Sequence, residues 1–86
     1  MRYTVVWDPE AENDLATIWT FAPDQQAVAD AANQIDRKLR TSSQTVGEEY
    51  GPDRRFIVDP LAVVYTIQAD DCLVRVLQVA FVKKDR

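Results

Sequence analysis

Side chains that could act as nucleophiles or metal ligands are scarce in this sequence. Cys72 is the single cysteine and histidine is absent, so neither an internal disulfide nor a histidine-containing zinc site can form. Asp70 and Asp71 precede the thiol and oppose its ionisation, so Cys72 is predicted to be a small residue at the start of a strand. Glu48 and Glu49 are adjacent loop carboxylates without other ligands, which is weak support for a metal site. We expect no metal and no cofactor.

The composition is typical of one ordinary folded domain over residues 1–86. The chain is 47% hydrophobic and 28% charged, and its 86 residues are enough for a single modest core. No stretch approaches the roughly 20 apolar residues of a membrane span, and the N-terminus is too polar for a signal peptide. We therefore expect a cytoplasmic protein without membrane contact. The net charge of −4 disfavours nucleic acid as the main ligand, although it is compatible with a local basic patch.

The hydrophobic pattern predicts an α+β domain with the order β-α-α-β-β-β. The two helices are joined so closely that they must form a helical hairpin, and the last three strands are joined too closely for crossovers. The predicted elements are a strand at 2–7, a helix at 9–21, a second helix capped by Asp24 that ends near Arg40, a loop at 41–53, and strands at 54–59, 61–68 and 73–82. We expect the hairpin to pack on one face of a mainly antiparallel four-stranded sheet.

The face of the sheet away from the helices is predicted to be mostly apolar. Strict alternation along the strands places a set of residues there: Arg55, Ile57, Ala62, Val64, Thr66, Val74, Val76, Gln78, Ala80 and Val82. A bare face of that size would exceed what monomers normally expose. Three covers are compatible with the pattern: the loop at 41–53, a second copy of the chain, or another protein. The predicted partner-binding residues are Val64, Thr66, Val74, Val76, Gln78 and Val82.

The order of elements and three stretches of sequence resemble the RelE/ParE superfamily. The stretches are "DPEAENDLATIW", "IDRKL" and "DPLAVVYTIQADDCLVRVLQV", and the resemblance covers nearly the whole chain. It implies a small cytosolic prokaryotic toxin, similar to plasmid-stabilisation proteins, from a type II toxin–antitoxin module. Such a toxin inhibits growth through a macromolecular target, and an antitoxin neutralises it by laying a helix or an extended segment on it.

The superfamily implies two alternative activities. RelE-like members cut mRNA on the ribosome with basic residues of the open sheet face, which stabilise phosphate charge and support proton transfer. ParE-like members inhibit DNA gyrase and lack that cluster. Ala62 and Val82 stand at two positions where the cleaving members are basic, and no C-terminal tyrosine follows. The basic residues that carry over as a partial catalytic set are Arg54, Arg55, Lys83 and Lys84.

This partial set makes mRNA cleavage a weaker expectation than in a standard RelE-like protein. Arg54 and Arg55 could equally be solvated residues that open a strand, and Lys83 and Lys84 could be a solubilising terminus. Arg75 is expected at the margin of the sheet, either paired with Asp70, Asp71 or a glutamate or directed at a substrate. A non-toxic interaction module or a homodimer on the same scaffold is the alternative function.

Overall fold

The computed structural model describes residues 2–82 as a helical hairpin on a mixed sheet. In chain order the elements are β1 (Thr4–Trp7), α1 (Pro9–Phe21), α2 (Gln25–Val46), β2 (Glu48–Tyr50), β3 (Asp53–Val58), β4 (Leu61–Gln68), a 3₁₀ turn (Ala69–Asp71) and β5 (Leu73–Phe81). The strand order is β1-β5-β4-β3-β2, and only the β1–β5 pairing is parallel within this part of the chain. The predicted α+β class is confirmed, and β2 adds a fifth strand to the predicted four.

The two helices begin at the predicted signals. Pro9 occupies the first turn of α1, where a missing N–H costs nothing. The Asp24 carboxylate accepts the backbone N–H of Ala27 at 3.1 Å and so caps α2. The apolar residues of α2 recur at helical spacing and are buried against the sheet: Val28, Ala31, Ile35 and Leu39.

The prediction of a loop at 41–53 is wrong. Helix α2 continues to Val46 across a kink at Ser42, whose φ of −135° and ψ of 24° are not helical. The Tyr65 hydroxyl donates to the Ser43 carbonyl at 2.6 Å, so a contact from β4 stabilises a turn that its polar sequence alone does not favour. The rest of the segment forms β2, an edge strand beside β3, and therefore does not cover the open face.

Gly47 ends α2 at a point where no side chain fits. A Cβ at this position would lie 2.6 Å from the Tyr65 hydroxyl oxygen and 2.9 Å from the Arg55 carbonyl oxygen. The glycine therefore allows the chain to pass from the helix into β2 directly beside the buried tyrosine.

A β-bulge in β5 reverses the predicted facing of its first half. Val64 pairs with Gln78, but the next residue, Tyr65, pairs with Val76, so Leu77 is the extra residue on β5. Val74 and Val76 consequently face the helices and have no exposed surface. Placing these two valines on the open face was wrong, because the alternation that assigned them does not continue through a bulge.

Within residues 2–82, no helix is long and apolar enough to cross a bilayer. The same part of the chain has no group of three or more cysteine, aspartate and glutamate side chains arranged to hold a metal ion.

Candidate functional site

The face of the sheet opposite the helices, here called the open face, mixes apolar and polar side chains. Ile57 and Tyr50 are about half exposed, at 48% and 50%, and Val6 is exposed by 36%. From the strand pairings, the open face comprises Thr4, Val6, Glu48, Tyr50, Asp53, Arg55, Ile57, Ala62, Val64, Thr66, Gln68, Leu73, Arg75, Gln78 and Ala80. Val82 continues the alternation, and its N–H donates to the Pro60 carbonyl at 2.7 Å. Four predicted partner-binding residues, Val64, Thr66, Gln78 and Val82, therefore remain on this face.

The concave part of this face, here called the open-face groove, has a volume of about 540 Å³. Its floor comes from β4 and β5, with the short side chains of Ala62, Val64 and Ala80 beside Gln78. Tyr50 and Arg55 line the β3 side of the groove, and three polar residues of α1 line the β5 side: Glu10, Asn13 and Asp14.

Arg55 is the predicted catalytic residue that does line the groove, but its charge is already paired. One guanidinium nitrogen lies 2.9 Å from the Glu48 carboxylate, and the guanidinium stacks 5.1 Å above the Tyr50 ring centroid. Its Nε is buried and has no hydrogen-bond partner among the described residues. Neighbours from β2 thus hold and neutralise Arg55.

Arg54 projects to the other face of the sheet, as strand alternation requires for adjacent residues. One of its terminal nitrogens donates to the Gly47 carbonyl, and its Nε donates to the Tyr65 hydroxyl at 3.4 Å. A cation beside carbonyls at a helix C-terminus stabilises that helix end. The two predicted catalytic arginines are therefore not brought together, and Arg54 supports the last turn of α2.

Arg75 lies on the open face of β5, the strand between β1 and β4, and is paired with a carboxylate that precedes α1. Its guanidinium is 2.9 Å from the carboxylate of Asp8, and 39% of its side chain is exposed. Asp8 precedes α1 and makes no side-chain cap hydrogen bond, and its Oδ1 accepts from Arg75. The partner is therefore Asp8 and not the nearby Asp70 or Asp71.

The other two predicted catalytic residues, Lys83 and Lys84, lie outside the described residues. In the described part of the chain, Arg55 is the cation that lines the open-face groove. A cluster of several cations around one phosphate position is not formed by residues 2–82.

The polar wall from α1 was not predicted from the sequence. Strand β1 ends at Trp7 while β5 continues to Phe81, so α1 runs beside the uncovered edge of β5. There the Asp14 carboxylate accepts the backbone N–H of Val79 at 3.4 Å. The available signal was the i, i+4 spacing of Glu10 and Asp14 away from the apolar stripe of α1.

A second groove lies on the outer surface between α1 and α2, here called the helical groove, with a volume of about 610 Å³. Trp7, Leu15 and Trp19 line it together with Val28, and Glu12 stands at its edge. Trp19 is 46% exposed at this groove. The Trp7 ring nitrogen donates to the Asp36 carboxylate at 3.4 Å.

Several solved toxins and toxin–antitoxin complexes contain chains with the same fold as this protein. The M. tuberculosis RelBE2 toxin–antitoxin complex contains a chain of the same fold, with a TM-score of 0.80 and 18% identity over 94% of this chain and 92% of that one. The chromosomal ParDE system of P. aeruginosa gives a TM-score of 0.74 and 18% identity over 95% and 98% of the two chains. The isolated E. coli RelE toxin gives a TM-score of 0.68 and 10% identity over 98% of this chain and 88% of that one. No curated protein matches the chain in sequence.

A sequence model of one toxin family covers most of the chain. It is the model of the ParE toxin of the type II toxin–antitoxin system parDE, and it matches residues 5–80. The match includes both helices, β5 up to Ala80 and every described residue of the open-face groove. The chain therefore belongs to the ParE toxin family of type II toxin–antitoxin systems.

Proposed function

We propose that this protein arrests growth by acting on a protein target, DNA gyrase, and that an antitoxin bound on the open face neutralises it. Family membership and the resemblance of the sequence to the RelE/ParE superfamily support a toxin. The similar chains from M. tuberculosis and P. aeruginosa come from a toxin–antitoxin complex and a ParDE system, which supports an antitoxin partner here.

The observation that carries the choice of target is the separation of the two arginines. Arg54 is bonded to the end of α2 on the helix-covered face, and Arg55 is paired with Glu48 on the open face. Stabilising the charge that develops on a phosphate needs cations that converge on one point and are not already neutralised. Residues 2–82 do not supply such a cluster, so a protein target is favoured over RNA cleavage.

The open face supports the antitoxin site because it keeps apolar side chains in solvent. Ile57 is 48% exposed, while Val64 and Val82 are half-buried on the same side. Apolar surface of this kind contributes roughly 25 cal/mol per Å² when a partner removes it from water. The partner-binding residues proposed are Val64, Thr66, Gln78 and Val82, and the buried Val74 and Val76 are excluded.

The test is induced expression with and without the reading frame that adjoins the gene, followed by two assays of the purified chain. We expect arrest that the neighbouring product relieves, inhibition of supercoiling by DNA gyrase, and no cleavage of mRNA on translating ribosomes. Growth unaffected by induction, or supercoiling unaffected by the chain, would contradict the proposal.

Weak mRNA cleavage is the second candidate, and it depends on Arg55 in the open-face groove. The discriminating variant is Arg55→Ala, with folding checked by thermal unfolding. Arrest that persists in this variant supports the protein target. Arrest that disappears, together with ribosome-dependent cleavage by the unaltered chain, supports the nuclease.

The alternative to a toxin is a protein of another functional class, a non-toxic homodimer. A S. aureus YoeB dimer has a chain of similar fold, with a TM-score of 0.60 and 15% identity over 96% of this chain and all of that one. A second copy could cover the exposed Ile57 in the same way as an antitoxin. Harmless expression and a dimer in sedimentation that Ile57→Asp abolishes would favour this alternative.

A further inference from the structure

We propose that the open-face groove accepts a lysine or arginine of the antitoxin, held between the α1 carboxylates and an apolar floor. This inference rests on the proposed function and adds the chemistry by which the partner is selected. The groove is the concave part of the open face, and a segment crossing it must meet Glu10 and Asp14 on one side.

Among the described residues that line the groove, carboxylates outnumber cations. Glu10 and Asp14 line the groove together with a single described cation, Arg55. That arginine is bound to Glu48 at 2.9 Å, so its charge does not offset the α1 wall. Neither α1 carboxylate forms an ion pair with another described residue. The described residues of the groove therefore present negative charge that no described cation compensates.

The floor of the groove fits the rest of a long basic side chain. Ala62, Val64 and Ala80 are short, so they leave space above the sheet and offer apolar surface. Lysine and arginine lay their aliphatic stems on such surface while the charged head reaches a carboxylate. The exposed Gln78 amide on the same floor can hydrogen-bond to the backbone of the bound segment.

The same charges disfavour a nucleic acid in this groove. A phosphate there would approach Glu10 and Asp14, and the described cation of the groove, Arg55, is already paired with Glu48. Binding to nucleic acid depends on neutralising phosphates with lysine and arginine, which the described part of the groove does not provide. The fitting occupant is a protein segment with a positive charge.

The test compares two charge reversals in the first turn of α1. Glu10→Lys reverses the charge in the open-face groove, whereas Glu12→Lys reverses one at the helical groove. Both remove a favourable acid from the start of the same helix, so their effects on folding should match. The probe is the purified product of the adjoining reading frame, with affinity measured by calorimetry.

We expect Glu10→Lys to weaken binding by about tenfold or more, and Glu12→Lys to change it less than about threefold. Changing each lysine and arginine of the partner to glutamate in turn should reveal one position that restores binding to Glu10→Lys. Equal affinities for the unaltered chain and Glu10→Lys would overturn the charged recognition while leaving the antitoxin proposal intact. If the unaltered chain does not bind the probe, both proposals fail.

Discussion

The helix-covered face and the open face of this sheet use the same strands in different ways. On β4, Leu61, Val63 and Tyr65 point to the helices and have no exposed surface. The alternate residues Ala62 and Val64 point to the open face and remain partly exposed. One face thus supplies the burial that stabilises the free chain, while the other keeps apolar and charged groups available for a partner. Substitutions should therefore separate stability from binding according to the face they alter.

The largest expected effect is the loss of a large side chain from the helix-covered face. Leu61→Ala should lower the free energy of unfolding by about 2–5 kcal/mol, because it leaves a cavity in a close-packed core. Ile57→Ala on the open face is the control and should change stability by less than about 1 kcal/mol. Denaturant unfolding of both variants measures the difference, and equal losses would refute the division between the faces.

The next effect distinguishes the two adjacent arginines of β3. Arg54→Ala should cost about 1–3 kcal/mol of unfolding free energy, since it removes the charged donor to the Gly47 carbonyl. Arg55→Ala should cost no more than about 1 kcal/mol, because its ion pair with Glu48 is exposed. Chemical denaturation reports both values. If Arg55→Ala lowers the free energy of unfolding more than Arg54→Ala does, then Arg54 does not support α2.

A smaller effect is expected at the hydroxyl group that holds the end of α2. Tyr65→Phe should destabilise the chain by about 1 kcal/mol, because the buried Ser43 carbonyl loses its donor. Tyr50→Phe, on the half-exposed ring of the open face, is the matched control and should be nearly neutral. Hydrogen exchange should also show faster opening of residues 43–46 in Tyr65→Phe. Unchanged protection there would contradict the assigned role of the hydroxyl.

The smallest effect is expected at the partly exposed ion pair between β5 and the start of α1. Asp8→Asn should lower stability by at most about 1 kcal/mol, since Arg75 remains accessible to water. The difference from the unaltered chain should shrink as salt rises, because exposed charges are screened. Thermal unfolding at low and high ionic strength provides the measurement. A difference that grows with salt would show that the pair acts through packing instead.

Local sequence determined most of the secondary structure and the fold class. Pro9 and Asp24 mark the two helix starts, and the buried apolar residues of α2 recur at helical spacing. Short connections required antiparallel neighbours, which β3, β4 and β5 are. These features depend on residues close together in the chain, so the sequence carries them directly.

Contacts between distant residues decided the remainder. The bulge at Leu77 depends on how β5 pairs with β4. Because of it, Val74 and Val76 lie in the core and not on the open face, where the alternation predicted them. The last turn of α2 depends on Tyr65, which is 22 residues from Ser43 in sequence. The acidic wall of the groove depends on the edge of β5 that β1 leaves for α1. Alternation and helical spacing determine which residues share a face, but only tertiary pairing determines where a strand is interrupted and what lies beside its edge.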